Sequence, residues 1–190
     1  MTEPQKPQES QQPLAERFSA PGGSGLITAT TVEMCIRDRS KTVPEERLRS
    51  AHAAGITRMG ENKVQEARRK AAALADLDIR WAVIGHLQTN KAKDVAAFAS
   101  EFQALDSLRV AEALDRRLQA AGRGLDVYVQ VNSSGEPSKF GLDPAEVTAF
   151  LAALPAYSSL RVRGLMTLAA HTDDEGRIRE CFRLMRALRD

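Results

Sequence analysis

The chain has 190 residues, of which 43% are hydrophobic and 27% are charged, a composition ordinary for a globular protein with a single core. Its 27 basic and 25 acidic residues leave a formal net charge of +2. We therefore expect no nucleic-acid partner, because such a partner calls for a basic excess clustered on one face. No apolar run approaches the ~20 residues that a membrane-spanning helix needs, so we expect no membrane partner either.

The N-terminus MTEPQKPQESQQP lacks the basic and apolar regions of a secretory signal. The only two cysteines, Cys35 and Cys181, cannot form a disulfide framework, and no histidine lies at metal-ligand spacing from them. These features predict a cytoplasmic protein without a metal site.

Residues 1–39 differ from the rest of the chain. More than half of the first 25 residues are Pro, Gln, Ser or Gly, a composition that buries too little apolar surface to fold. The string MCIRDR at 34–39 resembles the translation of a sequencing-library adapter. We interpret 1–39 as a disordered or artefactual segment, with a natural divergent N-terminus as the alternative, and predict one domain over 40–190.

From residue 40 onward, strand and helix patterns alternate. Apolar and β-branched runs predict strands at 56–59, 79–84, 102–105, 125–131 and 160–168. Apolar periodicity and capping residues predict helices at 44–54, 64–75, 90–99, 107–122, from 143 onward and at 176–190. In the last helix, the apolar positions expected to face inward include Cys181 and Phe182. This alternation predicts a parallel sheet, either open and doubly wound or closed into a (β/α) barrel.

Polar residues follow four of the predicted strands, at 60–62, 85–91, 106–107 and 132–133, and Met166 and Thr167 lie at the end of the fifth. Parallel strands bring these ends to one edge, where ligands of both architectures bind. Neither a GxGxxG nor a GxxxxGK[ST] motif follows the first strand, which argues against a dinucleotide or P-loop site. The barrel is therefore favoured.

Five motifs in this region resemble those of the YggS/PROSC family of pyridoxal 5′-phosphate (PLP) homeostasis proteins, in the same order and at the same spacing. They are SKT at 40–42, GENKVQE at 60–66, IGHLQTNK at 84–91, SKFG at 138–141 and GLM at 164–166. Each motif alone is weak, but five in order are specific. The resemblance implies a (β/α)₈ TIM barrel of the alanine racemase N-terminal type.

The resemblance also implies PLP as the cofactor, held as a Schiff base on Lys41. Lysine suits this role because an imine needs a primary amine that can lose its proton. Asn62 is implied to contact the ring oxygen of PLP or to support Lys41, and His86 to stack on or hydrogen-bond near the ring. Lys139 is implied as a secondary contact, and Met166 as a residue that lines the pocket.

The same residues, taken without the resemblance, fit structural roles. Lys41 fits a surface charge, Asn62 a turn residue and His86 a satisfied polar group. Met166 fits packing inside a barrel.

Two departures from the family pattern bear on PLP binding. The family's apolar opening strand is replaced by CIRDR at 35–39, and burying such charges unpaired in a barrel wall is costly. The chain also carries about six of the eight βα units, without the two that hold a phosphate in barrels of this type. We therefore expect weak PLP binding.

Three functions remain open at this point. The first is a monomeric PLP carrier without robust turnover that exchanges PLP with apo PLP-dependent enzymes. The second is a PLP-dependent racemase, which needs a second base, and the tyrosines Tyr128 and Tyr157 are not obvious candidates for it. The third is a non-functional fragment.

Overall fold

The computed structural model describes Ser40 and residues 43–190, in which strands and helices alternate along the chain. The strands are β1 (Arg58–Glu61), β2 (Arg80–Val83), β3 (Glu101–Leu105), β4 (Leu125–Val131) and β5 (Leu160–Thr167). The helices are α1 (Glu45–Ala53), α2 (Val64–Ala73), α3 (Ala92–Phe98), α4 (Leu108–Ala120), α5 (Val147–Ala153) and α6 (Glu175–Arg189). Residues 1–39 and Lys41 lie outside the described residues, so the N-terminal segment and the placement of Lys41 stay predictions.

The five strands form one parallel sheet in the order β1-β2-β3-β4-β5. A doubly wound sheet reverses its strand order at a switch point, and this sheet contains no reversal within the described residues. Successive right-handed crossovers in one direction place every helix on the same face of the sheet. This is the arrangement of a (β/α) barrel wall, as the sequence predicts.

The two faces of the sheet differ in chemistry. The register places Val83, Phe102, Val127 and Val162 side by side on the face that the helices cover, with Glu61 at the end of the row. The opposite, inner face carries Gly60, Ala82, Glu101, Asp126 and Arg161 in the neighbouring row. The apolar core therefore lies between sheet and helices, whereas the inner face of the wall is polar.

Charged side chains pair on the inner face near the amino ends of the strands. Asp126 Oδ1 accepts from Arg161 Nε at 2.6 Å, and Asp126 Oδ2 lies 3.1 Å from Arg163 Nε. Burial by itself raises the pKa of Asp126, but the hydrogen bonds and charges of the two arginines outweigh that effect and hold the pKa below its usual range. This end of a barrel serves stability rather than ligand binding.

Capping residues set the two helix starts that the sequence marks most clearly. Ser107 Oγ accepts from the amide of Val110 at the start of α4, at 3.3 Å. Asp143 Oδ1 accepts from the amide of Ala145 at 2.8 Å, where a short 3₁₀ turn leads into α5. Both contacts satisfy amides that the first turn leaves unpaired.

One packing prediction for α6 is wrong. Cys181 is buried as expected, but Phe182 is 42% exposed, because the packed face of α6 is narrower than the apolar pattern predicts.

Within the described residues, no helix has the length and apolar character needed to cross a membrane.

Candidate functional site

The carboxyl ends of the five strands form a rim that carries most of the predicted site residues. Asn62 follows β1, His86 follows β2, and Met166 is the second-to-last residue of β5. Lys139 lies in the loop that follows β4, between residues 132 and 143. The structure thus brings four of the five predicted residues to one edge of the sheet, and the fifth, Lys41, lies outside the described residues.

The first two strand ends are in close contact through a motif glycine. A Cβ atom at Gly85 would lie 2.2 Å from the backbone oxygen of Asn62, a distance that no side chain tolerates. Gly85 therefore allows the turn after β2 to pass against the turn after β1. Asn62 is exposed beside this contact, so its amide is accessible from the rim.

His86 lies between a carboxylate and a phenyl ring. Its Nδ1 is 3.3 Å from Asp106 Oδ2, and its ring stacks on Phe140 with centroids 4.1 Å apart and planes 11° apart. The His86 side chain is 36% exposed, whereas that of Asp106 is 10% exposed. A carboxylate on one nitrogen leaves Nε2 of the imidazole available for a ligand.

The Lys139 amine forms hydrogen bonds within the protein at the rim and does not project into solvent. Its Nζ donates to Glu136 Oε1 and to the backbone oxygen of Ala169, both at 3.0 Å. The hydrogen bond from Lys139, helped by its charge, holds the pKa of the Glu136 carboxyl below its usual range. These contacts join the loop after β4 to the segment after β5, so Lys139 already has a structural role at the predicted position.

The same loop is held to β4 at its far end. Gly141 has a φ of +121°, and a Cβ there would lie 2.7 Å from the amide nitrogen of Asn132, so only glycine fits. Gln130 Nε2 donates to the backbone oxygen of Phe140 at 3.1 Å. These contacts fix the loop at the rim and place Phe140 beside His86.

Met166 is 5% exposed and belongs to the main hydrophobic core. The register places it beside Gln130 on the neighbouring strand. Contact between Met166 and a ligand stays a prediction.

A buried polar cluster lies below the rim, where Ser40 meets β1. Lys70 Nζ on α2 lies 2.6 Å from Glu61 Oε1 and 2.9 Å from Glu66 Oε1, and it donates to the backbone oxygen of Ser40. Ser40 Oγ donates to Glu61 Oε1 at 2.5 Å. The side chains of Lys70 and Glu61 are 1% and 0% exposed.

The charge state of Lys70 follows from these partners. Burial lowers the pKa of Lys70, but the hydrogen bonds and charges of Glu61 and Glu66 together outweigh it and raise the pKa above its ordinary value. Lys70 therefore stays protonated inside the layer between helix and sheet.

Asp106, Phe140, Glu61 and Lys70 were not predicted as site residues. Asp106 and Glu61 lie among the polar positions expected at the strand ends, and Phe140 lies in the SKFG motif, but the sequence assigns none of the three a role. Lys70 carries no such signal, and contacts between distant segments decide the roles of all four. No group of three or more His, Cys, Asp or Glu side chains in the described part of the chain is placed to hold a metal ion.

Known proteins are similar to this chain in sequence and in fold. The profile of the alanine racemase N-terminal domain family matches residues 45–190. The pyridoxal phosphate homeostasis protein of Pseudomonas aeruginosa is 39% identical over 149 residues, which is 78% of this chain and 65% of that protein. Its counterpart in Aquifex aeolicus is 36% identical over 80% of this chain and 66% of that protein. The chain thus corresponds to slightly less than two thirds of these relatives' length.

Solved structures agree with the sequence comparison. The structure of PipY from Synechococcus elongatus with PLP bound has 36% identity and a TM-score of 0.73, covering 78% of this chain and 69% of that chain. An alanine racemase from Clostridium difficile has 14% identity and a TM-score of 0.62, covering 75% of this chain and 40% of that chain, and shows the fold alone. The chain therefore belongs to the family of pyridoxal phosphate homeostasis proteins and has part of the (β/α)₈ barrel of the alanine racemase N-terminal domain.

Proposed function

We propose that this protein binds PLP at the rim and serves in intracellular vitamin B6 homeostasis. The observation that carries the proposal is the match, at 36% identity, to a solved relative with PLP bound. The rim supports it, because the carboxyl edge of a parallel barrel is where ligands bind. Lys41 is the residue that we propose to hold PLP covalently through its ε-amine.

The described residues fit the ring end of PLP. A half-exposed imidazole backed by Asp106, with Phe140 stacked on one face, offers a polar group and an aromatic surface to a pyridine ring. The exposed amide of Asn62 can donate to a ring oxygen. When bound, PLP supplies an aldehyde that condenses with primary amines and a ring that withdraws electrons.

Each proposed residue has a distinct task. Lys41 provides the amine, Asn62 and His86 orient the ring, and Met166 lines the pocket. Lys139 is a secondary contact, which its present partners Glu136 and the Ala169 oxygen would have to share. The phosphate contacts are expected on two further strands, so the residue roles proposed for this chain concern the ring and the aldehyde of PLP.

A trapping experiment tests the assignment of Lys41. The purified chain is incubated with PLP, reduced with borohydride and mapped by peptide mass spectrometry. We expect the label on Lys41 and its loss in Lys41→Ala, with Lys93→Ala, an exposed position on α3, as the matched control. Label spread over surface lysines and unchanged in Lys41→Ala would contradict the proposal.

We further propose a monomeric, cytoplasmic carrier that hands PLP to apo PLP-dependent enzymes. Light scattering tests the monomer, and recovery of activity by an apo-enzyme mixed with the loaded carrier tests the transfer. Incubation with single L-amino acids distinguishes a carrier from a racemase. Steady formation of the D-enantiomer or a keto acid would overturn the carrier.

A further inference from the structure

We propose that the buried Glu61–Lys70 ion pair positions Lys41 by fixing Ser40, the residue that precedes it, and this inference rests on the proposed function. Glu61 and Lys70 are positioning residues in this proposal, because they act through Ser40. Their position on the helix-covered side of the wall separates them from the rim residues His86 and Asn62.

Ser40 is held through its backbone and its side chain. Its amide donates to the backbone oxygen of Gly60 at 3.1 Å, and its hydroxyl donates to Glu61. Its backbone oxygen accepts from Lys70 and also from the amide of Val43 at 2.9 Å. With Ser40 3% exposed, its own position is defined by contacts from β1 and α2.

The Glu61–Lys70 ion pair is charged, whereas its neighbours are apolar. Glu61 ends a row whose neighbours on the adjacent strands are Val83 and Phe102, and Lys70 shares its buried side of α2 with Val64 and Ala67. An apolar pair at these two positions would continue the core without desolvating charges.

The ion pair is also incompletely satisfied. Glu61 Oε2 is buried and has no hydrogen-bond partner among Ser40 and residues 43–190. A buried ion pair stabilises a fold over apolar residues only when its remaining lone pairs are satisfied. The cluster is therefore better explained by what it holds, which is Ser40, than by stability.

Fixing Ser40 matters because Schiff-base formation depends on the backbone position from which the Lys41 side chain would extend. A misplacement of the reacting group by about 1 Å can cost on the order of a hundredfold in rate. Rigid support for the residue before Lys41 would limit the positions that its ε-amine can reach. Loss of the pair should thus reduce capture by Lys41 more than it reduces binding of PLP to the rim.

The test compares two double variants of the full chain. Glu61→Gln with Lys70→Met removes both charges of the buried pair. Glu45→Gln with Arg69→Met removes the exposed ion pair that joins α1 to α2, and serves as the matched control. Thermal melting checks the fold, equilibrium dialysis measures total bound PLP, and borohydride trapping measures the fraction attached to Lys41.

We expect the Lys41-attached fraction to fall by at least about fivefold in the buried-pair variant, with total bound PLP changed less than about twofold. Without PLP, hydrogen exchange at the Val43 amide should accelerate in that variant and stay unchanged in the control. An unchanged attached fraction in a folded variant would overturn the inference and leave the proposed function intact.

Two further outcomes are decisive. Should the double variant not fold, Ser40→Ala removes only the hydroxyl contacts, to Glu61 and to the backbone oxygen of Gly60, and an unchanged attached fraction in Ser40→Ala would overturn the inference. A wild-type chain that captures no PLP on Lys41 would overturn both the proposed function and this inference.

Discussion

The phenyl ring of Phe140 stacks on the imidazole of His86, 4.1 Å away and 11° from parallel. The two residues are far apart in the sequence and belong to different loops of the rim. Because Phe140 is 57% exposed, burial in the core does not account for its placement. The stack instead couples the loop after β4 to the turn after β2, at the edge where we propose that PLP binds.

Replacing Phe140 should weaken ligand binding without unfolding the protein. An exposed side chain contributes within about 0.5 kcal/mol to stability, and an aromatic pair adds about 0.5–1.5 kcal/mol. We expect Phe140→Leu to lower the melting temperature by no more than a few degrees, to shift the His86 ring resonances in NMR spectra and to raise the Kd for PLP. Phe182→Leu, at an exposed position on α6, is the control. Unmoved His86 resonances would contradict the stack.

Lys139→Met should release the loop and raise the pKa of Glu136. The hydrogen bond and charge of Lys139 hold that pKa below its usual range, so removing them moves it upward towards the ordinary value. An NMR titration of the Glu136 carboxyl carbon measures the shift. Hydrogen exchange across 133–140 should accelerate in the same variant, because the link to the Ala169 oxygen is lost. A Glu136 titration curve that coincides with the wild type would refute the ion pair.

Asp126 should contribute to stability in a pH-dependent way. Its pKa in the folded chain lies below the usual value of about 3.9, so the unfolded chain takes up the proton first as the pH falls. The contribution is fully present above about pH 5 and is lost as the pH falls through the lowered pKa. Urea unfolding between pH 3 and pH 6 should therefore show a shallower pH dependence for Asp126→Asn than for the wild type.

A matched control for Asp126 is Asp78→Asn, at an exposed position in the segment before β2. This variant should keep the wild-type pH dependence. Equal slopes for the wild type and Asp126→Asn would show that Arg161 and Arg163 do not stabilise the carboxylate.

Gly85→Ala should destabilise the protein and displace the turn at Asn62. A Cβ 2.2 Å from the Asn62 oxygen forces the backbone apart, and overpacking of this kind costs about 1–3 kcal/mol. Gly122→Ala is the control, since its φ of +60° is strained but no atom lies within 4 Å of the new Cβ. Urea unfolding compares the two, and Asn62 amide shifts should change only in Gly85→Ala. A smaller loss of stability in Gly85→Ala than in Gly122→Ala would contradict the close approach.

The sequence predicts the order of elements well and their limits less well. The predicted strand at 125–131 coincides with β4, because its apolar run is continuous and bounded by turns. The predicted strand at 56–59 lies two residues before β1 at Arg58–Glu61, since pairing with β2 rather than local propensity defines that strand. The predicted helix at 44–54 is observed as α1 at Glu45–Ala53, with Pro44 at its N-cap.

By itself, the sequence determined the alternation of strands and helices, the family and four residues of the rim. These follow from periodicity, capping and motif order, which are local properties of the chain. Only the tertiary structure decided which partners these residues have: Phe140 and Asp106 for His86, the Ala169 oxygen for Lys139, and Lys70 for Ser40 and Glu61. The physical reason is that such contacts join segments distant in the chain, and their geometry exists only once parallel strands bring those segments to the same place.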